Sequence, residues 1–216
     1  MTSKKKLEVY NWLSSILPDL GIFRRIRKKV LRWCGVVIPS NVDLCGTARF
    51  MGDGEIIIGE NSIIRNACFF HVSGGGRIEL GRKVKLAENV IIESLANPAE
   101  PSSVIFGDNV DLMMGSCVSA NGNSRVTIGS DCKIAHNVSI KATEHEIDPN
   151  GKCIGGKVSF RDITISEGCW ICAGVIIVPG VTVGKRNVIA AGAVVTKNSP
   201  CNVLLAGVPA VIKKYY

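Results

Sequence analysis

The sequence predicts an all-β fold, a parallel β-helix that carries an N-terminal α-helical segment and one long excursion loop. Three observations predict it: aliphatic residues recur every six positions through most of the chain, the phase of that repeat breaks once at length, and the front end is basic with helical periodicity. A chain of 216 residues is long enough for one such repeat domain with a short appendage.

The front segment, residues 1–38, is read from its charge and spacing. Residues 1–35 hold nine Lys/Arg and two acidic residues, a net of +7 out of the chain's +8, so the remaining 181 residues carry only +1. A nearly neutral body excludes nucleic-acid binding by the whole surface. Within the segment, FRRIRKKVLRWC at residues 23–34 places Phe23, Ile26, Val30 and Trp33 at helical spacing, with six Lys/Arg on the other faces. Such a helix either caps the first coil with its apolar face or lies on an anionic membrane surface as a peripheral contact. The start, MTSKKKLEVYNWLSSIL, lacks the apolar core and cleavage site of a secretory signal, and no run of 18 apolar residues follows. The expected location is cytoplasmic, with a possible place at the inner face of the membrane.

The β-helix is expected over residues 39–207. From Ile165 the aliphatic positions are Ile165, Ile171, Ile177, Val183, Ile189 and Val195, and four residues after each comes a small or β-branched residue, as at Cys169, Val175, Val181 and Ala193. The same spacing recurs at Ile58 and Ile64, at Leu80, Leu86 and Ile92, at Phe106, Leu112 and Val118, and at Ile128, Ile134 and Ile140. A period of six suits short strands joined by turns, three to a triangular coil, with aliphatic residues stacked from coil to coil at the usual strand spacing of about 4.8 Å. A β-sandwich would instead show alternating strands with turns every 8–12 residues.

The breaks place the loops. HVSGGG, between Ile64 and Leu80, reads as a short turn and SLANPAEPSS, after Ile92, as a loop. Between Ile140 and Ile165 lie 25 positions where six would do, an excursion of 19 residues over about 141–162 that holds His145. Residues 208–216 form a C-terminal tail. The nine cysteines are scattered, as suits buried thiols, and Cys169-x-x-Cys172 has no second pair or nearby histidine, so no metal is expected.

ATEHEIDP at the start of the excursion, with its H-x-I-D-P element, and the closing AGVPAVIKKY, with G-x-P-A, resemble the hexapeptide-repeat O-acetyltransferases that act on maltose, galactosides and capsular polysaccharides. The resemblance implies a left-handed winding and a homotrimer with active sites between neighbouring β-helices. It also implies an acetyl-CoA co-substrate and a single catalytic histidine. Acetyl transfer to a sugar hydroxyl needs a base, and neutral imidazole suits that task near pH 7. His145 matches the motif; His71 and His136 are its rivals. Asn121, with Ser119 near it, matches an asparagine one coil earlier that donates to the oxyanion in galactoside-type relatives. The positions matching the cofactor groove are Trp170, Ala173, Gly174, Ala191, Thr196 and Lys197, and Lys197 and Lys214 are placed to meet phosphates. Two positions depart from the family: Val211 stands where an arginine is common, and Ala173 where a serine is.

The function expected is therefore acetyl-CoA-dependent O-acetylation of a sugar hydroxyl, in surface-polysaccharide synthesis. Acetylation of an amino-sugar amine or of an antibiotic is the alternative within the same chemistry. A γ-type carbonic anhydrase would need three histidines around zinc, two of them close together on one coil, and a non-catalytic scaffold would need neither the excursion nor the groove.

Overall fold

A computed structural model describes residues 2–97 and 99–216. The hexads wind into about seven turns of a parallel β-helix with three faces, and two helices precede it. The nine-stranded face runs from Asp43–Leu44 to Val211–Tyr215, the seven-stranded face from Arg49–Gly52 to Val194–Val195, and the six-stranded face from Glu55–Ile58 to Thr182–Val183. Pairing within each face follows the six-residue repeat. Ile134 pairs with Ile171 and then Ile189; Ile140 pairs with Ile177 and then Val195; Ile128 pairs with Ile165 and then Val183. All nine are buried, so the core is the continuous ladder that the repeat predicts.

Many corners turn on a residue in the left-handed region, three positions after the ladder aliphatic. Asn61, Asn89, Asn109, Asp131 and Asn137 occupy it with φ between 56° and 61°. Short amide and carboxylate side chains tolerate that conformation better than other L residues. The expected turn at 74–76 follows the strand Phe69–Ser73, and the segment read as a loop after Ile92 contains Pro98, which lies outside the described residues.

The helices are α1 (Ser3–Ile16) and α2 (Gly21–Trp33). The sequence reads residues 1–38 as one helical segment and singles out only 23–34; α1 is a separate helix in which Leu7, Tyr10 and Ser14 recur at helical spacing and are the residues it buries. Tyr10 meets Phe50 edge-on at 5.5 Å, and its hydroxyl donates to the Ala48 carbonyl at 3.3 Å. Ser14 Oγ donates to Gly46 O at 2.6 Å, and Asn11 Nδ2 to Phe50 O at 2.7 Å. These bonds satisfy carbonyls on the first coil, which has no coil before it.

Helix α2 corrects an expectation. It lies against the first coil with the side that carries Arg24, Lys28 and the buried Leu31; of the apolar stripe expected to form the cap, Val30 packs against the core while Ile26 and Trp33 are exposed. Arg24 pairs with Asp43 at 2.7 Å, Lys28 Nζ donates to the carbonyls of Ser40 at 2.6 Å and Val42 at 2.7 Å, and Arg32 Nε donates to Ile38 O at 2.7 Å. Arg27 is fully buried, paired with Asp19 at 3.5 Å and donating to the Leu17 carbonyl. The physical reason is the coil edge itself, which presents carbonyl oxygens that only donors can satisfy.

Candidate active site

The excursion leaves the β-helix after the seven-stranded face and rejoins it at Ile163, on the six-stranded one. Ile134 pairs with Ile171, 37 positions on, whereas Ile171 pairs with Ile189, 18 positions on, so this turn holds 19 additional residues. They form an antiparallel ribbon of Thr143–Ile147 against Cys153–Phe160, in which His145 faces Val158 across the pair. The ribbon turns at Asp148–Gly151. Asp148 Oδ1 accepts the N–H groups of Asn150 and Lys152, both at 2.9 Å, and Gly151 N–H returns to Asp148 O at 2.9 Å. The Asp-Pro half of the motif is thus explained by turn chemistry.

The root of the ribbon is fixed to the coil. Ala142 N–H donates to Ser119 O at 2.9 Å, Arg161 N–H to Ala142 O at 3.0 Å, and Arg125 N–H to Asp162 Oδ1 at 2.7 Å. The Phe160 ring lies over Gly122, where a Cβ would stand 2.6 Å from ring carbons, so the position has no room for a side chain. Arg161 also pairs with Glu144, beside His145. His145 itself is exposed, and Ile147, on the same strand, is 67% exposed.

Ser119 pairs with Lys141 in the parallel register, so Asn121 is level with Thr143 at the root of the ribbon. Asn121 Oδ1 stands 3.5 Å from Ser119 Oγ, too long for a strong bond. Thr143 Oγ1 is buried and lacks a hydrogen-bond partner.

The residues matched to the cofactor groove fall on two edges of the prism. Thr196 and Lys197 follow the strand Val194–Val195, at the edge between the seven- and six-stranded faces, where the ribbon and Asn121 also stand. Ala173, Gly174 and Ala191 occupy the edge between the nine- and seven-stranded faces, and Trp170 begins the strand that leads into it. His136 is on this second edge too, its carbonyl accepting from Gly174 N–H at 2.9 Å, and Gly192 N–H continues the ladder to Ala173 O at 2.9 Å. A Cβ on Gly174 would meet nothing nearer than 3.9 Å, so this corner is open to an incoming chain. Trp170 borders a shallow cleft of about 300 Å³ with Asp111, Met113 and Lys133. Lys214 lies beyond the last coil, its Nζ 4.8 Å from the Tyr216 ring. A cavity of about 560 Å³ lined in part by Glu55, Arg77 and Arg125 contains none of these residues.

His71 sits on the strand Phe69–Ser73, His136 at a corner and His145 on the ribbon, so the histidines stand on separate elements. Among the described residues no group of three His, Cys, Asp or Glu side chains assembles. Cys169 belongs to the core, its thiol donating to Gly184 O at 3.2 Å.

Residues 162–197 match the family model described as bacterial transferase hexapeptide (six repeats). Over 54 residues the chain is 46% identical to a galactoside O-acetyltransferase of Lactococcus lactis subsp. lactis (strain IL1403), a match covering 25% of this chain and 26% of that protein. It is 50% identical over 54 residues to the galactoside O-acetyltransferase of Escherichia coli (strain K12), covering 25% and 27%. The matched segment thus spans about a quarter of each of these curated relatives. Among solved structures, the polysialic acid O-acetyltransferase OatWY superposes with a TM-score of 0.68 at 19% identity, over 83% of this chain and 84% of that one. AntD, an N-acyltransferase from Bacillus cereus, superposes with a TM-score of 0.60 at 18% identity, over 73% and 82%. At these identities the two structures establish a shared β-helix fold.

Proposed function

We propose that this hexapeptide-repeat protein is an acetyl-CoA-dependent O-acetyltransferase acting on a sugar hydroxyl, with His145 as its general base. The observation that carries the reading is the ribbon, which holds an exposed histidine and is rooted on a stiff β-helix at the level of Asn121. Sugar acceptors follow from the relatives' names, and a role in surface-polysaccharide synthesis is the biological setting that suits them.

The chemistry assigns each group a task. Imidazole takes the proton of the acceptor hydroxyl as its oxygen attacks the thioester carbonyl; the C–S bond breaks, an ester forms, and the proton passes to the departing thiolate. Asn121, aided by backbone N–H groups, stabilises the tetrahedral oxyanion. The open corner at Ala173, Gly174 and Ala191 receives the pantetheine arm, while Thr196, Lys197 and Lys214 meet its polar and phosphate groups.

The ribbon with Asn121 and the open corner at Ala173, Gly174 and Ala191 flank the seven-stranded face of one chain, on opposite edges. A groove between two β-helices would combine one edge of one copy with the other edge of its neighbour, and cyclic repetition of that contact closes a homotrimer. Such an assembly would also cover the exposed ribbon.

Thiol release from acetyl-CoA, measured against a panel of sugars and nucleotide-sugars, tests the reading. Turnover with one acceptor that falls 10²-fold or more in His145→Ala, the size expected for a lost general base, supports it. Acetyl-CoA that is neither bound nor cleaved would refute it.

A further inference from the structure

The inverted packing of α2 leaves the outer side of the helical end apolar. Ile22, Ile26 and Trp33 recur at helical spacing along that side, opposite the residues that grip the first coil, and Ile22 is 65% and Trp33 51% exposed. Trp12 and Ile16 add to it from α1, Trp12 being 64% exposed. The helices lie alongside in opposite directions: Ser3 Oγ donates to Cys34 O at 3.1 Å, and Lys6 Nζ sits 4.9 Å from the Trp33 ring.

Charge selects what covers this face. Arg24, Arg27, Lys28 and Arg32 are engaged by the coil and the joint between the helices. Lys4, Lys5, Arg25 and Lys29 are exposed and make no hydrogen bond or ion pair among the described residues. Of the two acidic residues in the segment, Asp19 is paired with Arg24, which leaves Glu8 alone against four unpaired cations. A two-fold contact with a second copy would bring those cations together, whereas an anionic leaflet would meet them with phosphates. Tryptophans beside lysines and arginines are suited to the headgroup layer of a bilayer. Among the described residues no helix is long and apolar enough to cross a membrane, so the contact lies in its plane.

We propose that the outer side of the α1–α2 pair docks this protein on a membrane surface rich in anionic phospholipid, with Trp12, Ile22, Ile26 and Trp33 at headgroup depth and Lys4, Lys5, Arg25 and Lys29 against lipid phosphates. The face is independent of the acetyltransferase reading and survives its failure.

Co-sedimentation of the full chain with vesicles of phosphatidylcholine alone, or of phosphatidylcholine mixed with phosphatidylglycerol, tests this. Binding is expected on the mixed vesicles and weakens with salt. Arg25→Gln and Lys29→Gln should each lower the affinity about fivefold, the effect of one basic residue near an anionic leaflet. Trp33→Ser with Ile26→Ser should weaken it further, with melting temperatures unchanged because all four sites are exposed. Absence of binding at low salt would overturn the proposal. So would equal binding to both vesicles, or a concentration-dependent doubling of mass that Ile26→Ser abolishes, which would assign the face to a second copy.

Discussion

The Phe160 ring over Gly122 is one of the contacts that hold the ribbon carrying His145. Gly122 also has φ +61°, so Gly122→Val adds backbone strain to a steric clash. The variant should lose tenfold or more in thiol release while the β-helix persists, and proteolysis should then cut within residues 143–160. Asp19 is a second single-residue test. Hydrogen bonds from Arg24 hold its carboxyl below the usual range, aided by the Gly46 N–H and the nearby Arg27. A depressed folded value contributes stability above the unfolded pKa of about 3.9, and that contribution is lost as pH falls through the folded value. The wild type should therefore lose more melting temperature between about pH 5 and pH 3 than Asp19→Asn does. At this scale much was legible. The buried aliphatics were readable one by one, and three positions after many of them an Asn, Asp or Gly was in plain sight as the corner residue. The contact of Phe160 with Gly122 joins residues 38 apart through an irregular loop, and no period announces it.

Two elements divide along the same line between what a pattern fixes and what it leaves open. Ladder strands are fixed by pattern and neighbour together: Ile171 sits between Ile134 and Ile189, fully buried. Ile171→Ala should cost about 2–5 kcal/mol, since adjoining coils cannot collapse into the void, and a chemical-denaturation series would measure it. For α2 the pattern gave the amphipathic stripe but not the side that would be buried. That choice was made by carbonyls at the coil edge, a backbone property invisible in side-chain periodicity. The 143–160 ribbon is likewise an element whose existence could be inferred and whose surroundings could not. A two-stranded ribbon alone is marginally stable in water, and this one is held through the bonds of its root to the coil.

For the whole molecule, the division of the candidate site between two edges has an experimental signature. Ala173 and Ala191 are 18 positions apart and share an edge, while Thr196, five on from Ala191, belongs to the next; counting by coils of 18 separates the two sets, and counting by hexads alone does not. If the site lies between copies, His145→Ala and Gly174→Trp are each inactive alone yet complement when their subunits are mixed. Random mixing in equal amounts should leave about a quarter of the sites with both halves intact, as cyclic symmetry requires. Failure to recover activity after subunit exchange would place both halves in one copy. The donors that α1 and α2 lend to the first coil have a further consequence. A stack of coils has no intrinsic last member, and any bare end is a template on which another molecule's end can continue the pairing. On that view the helices act as a terminator of growth as well as a lid: a chain beginning at residue 36 should associate through its bared end, seen as a rise in mass by light scattering that the intact protein does not show.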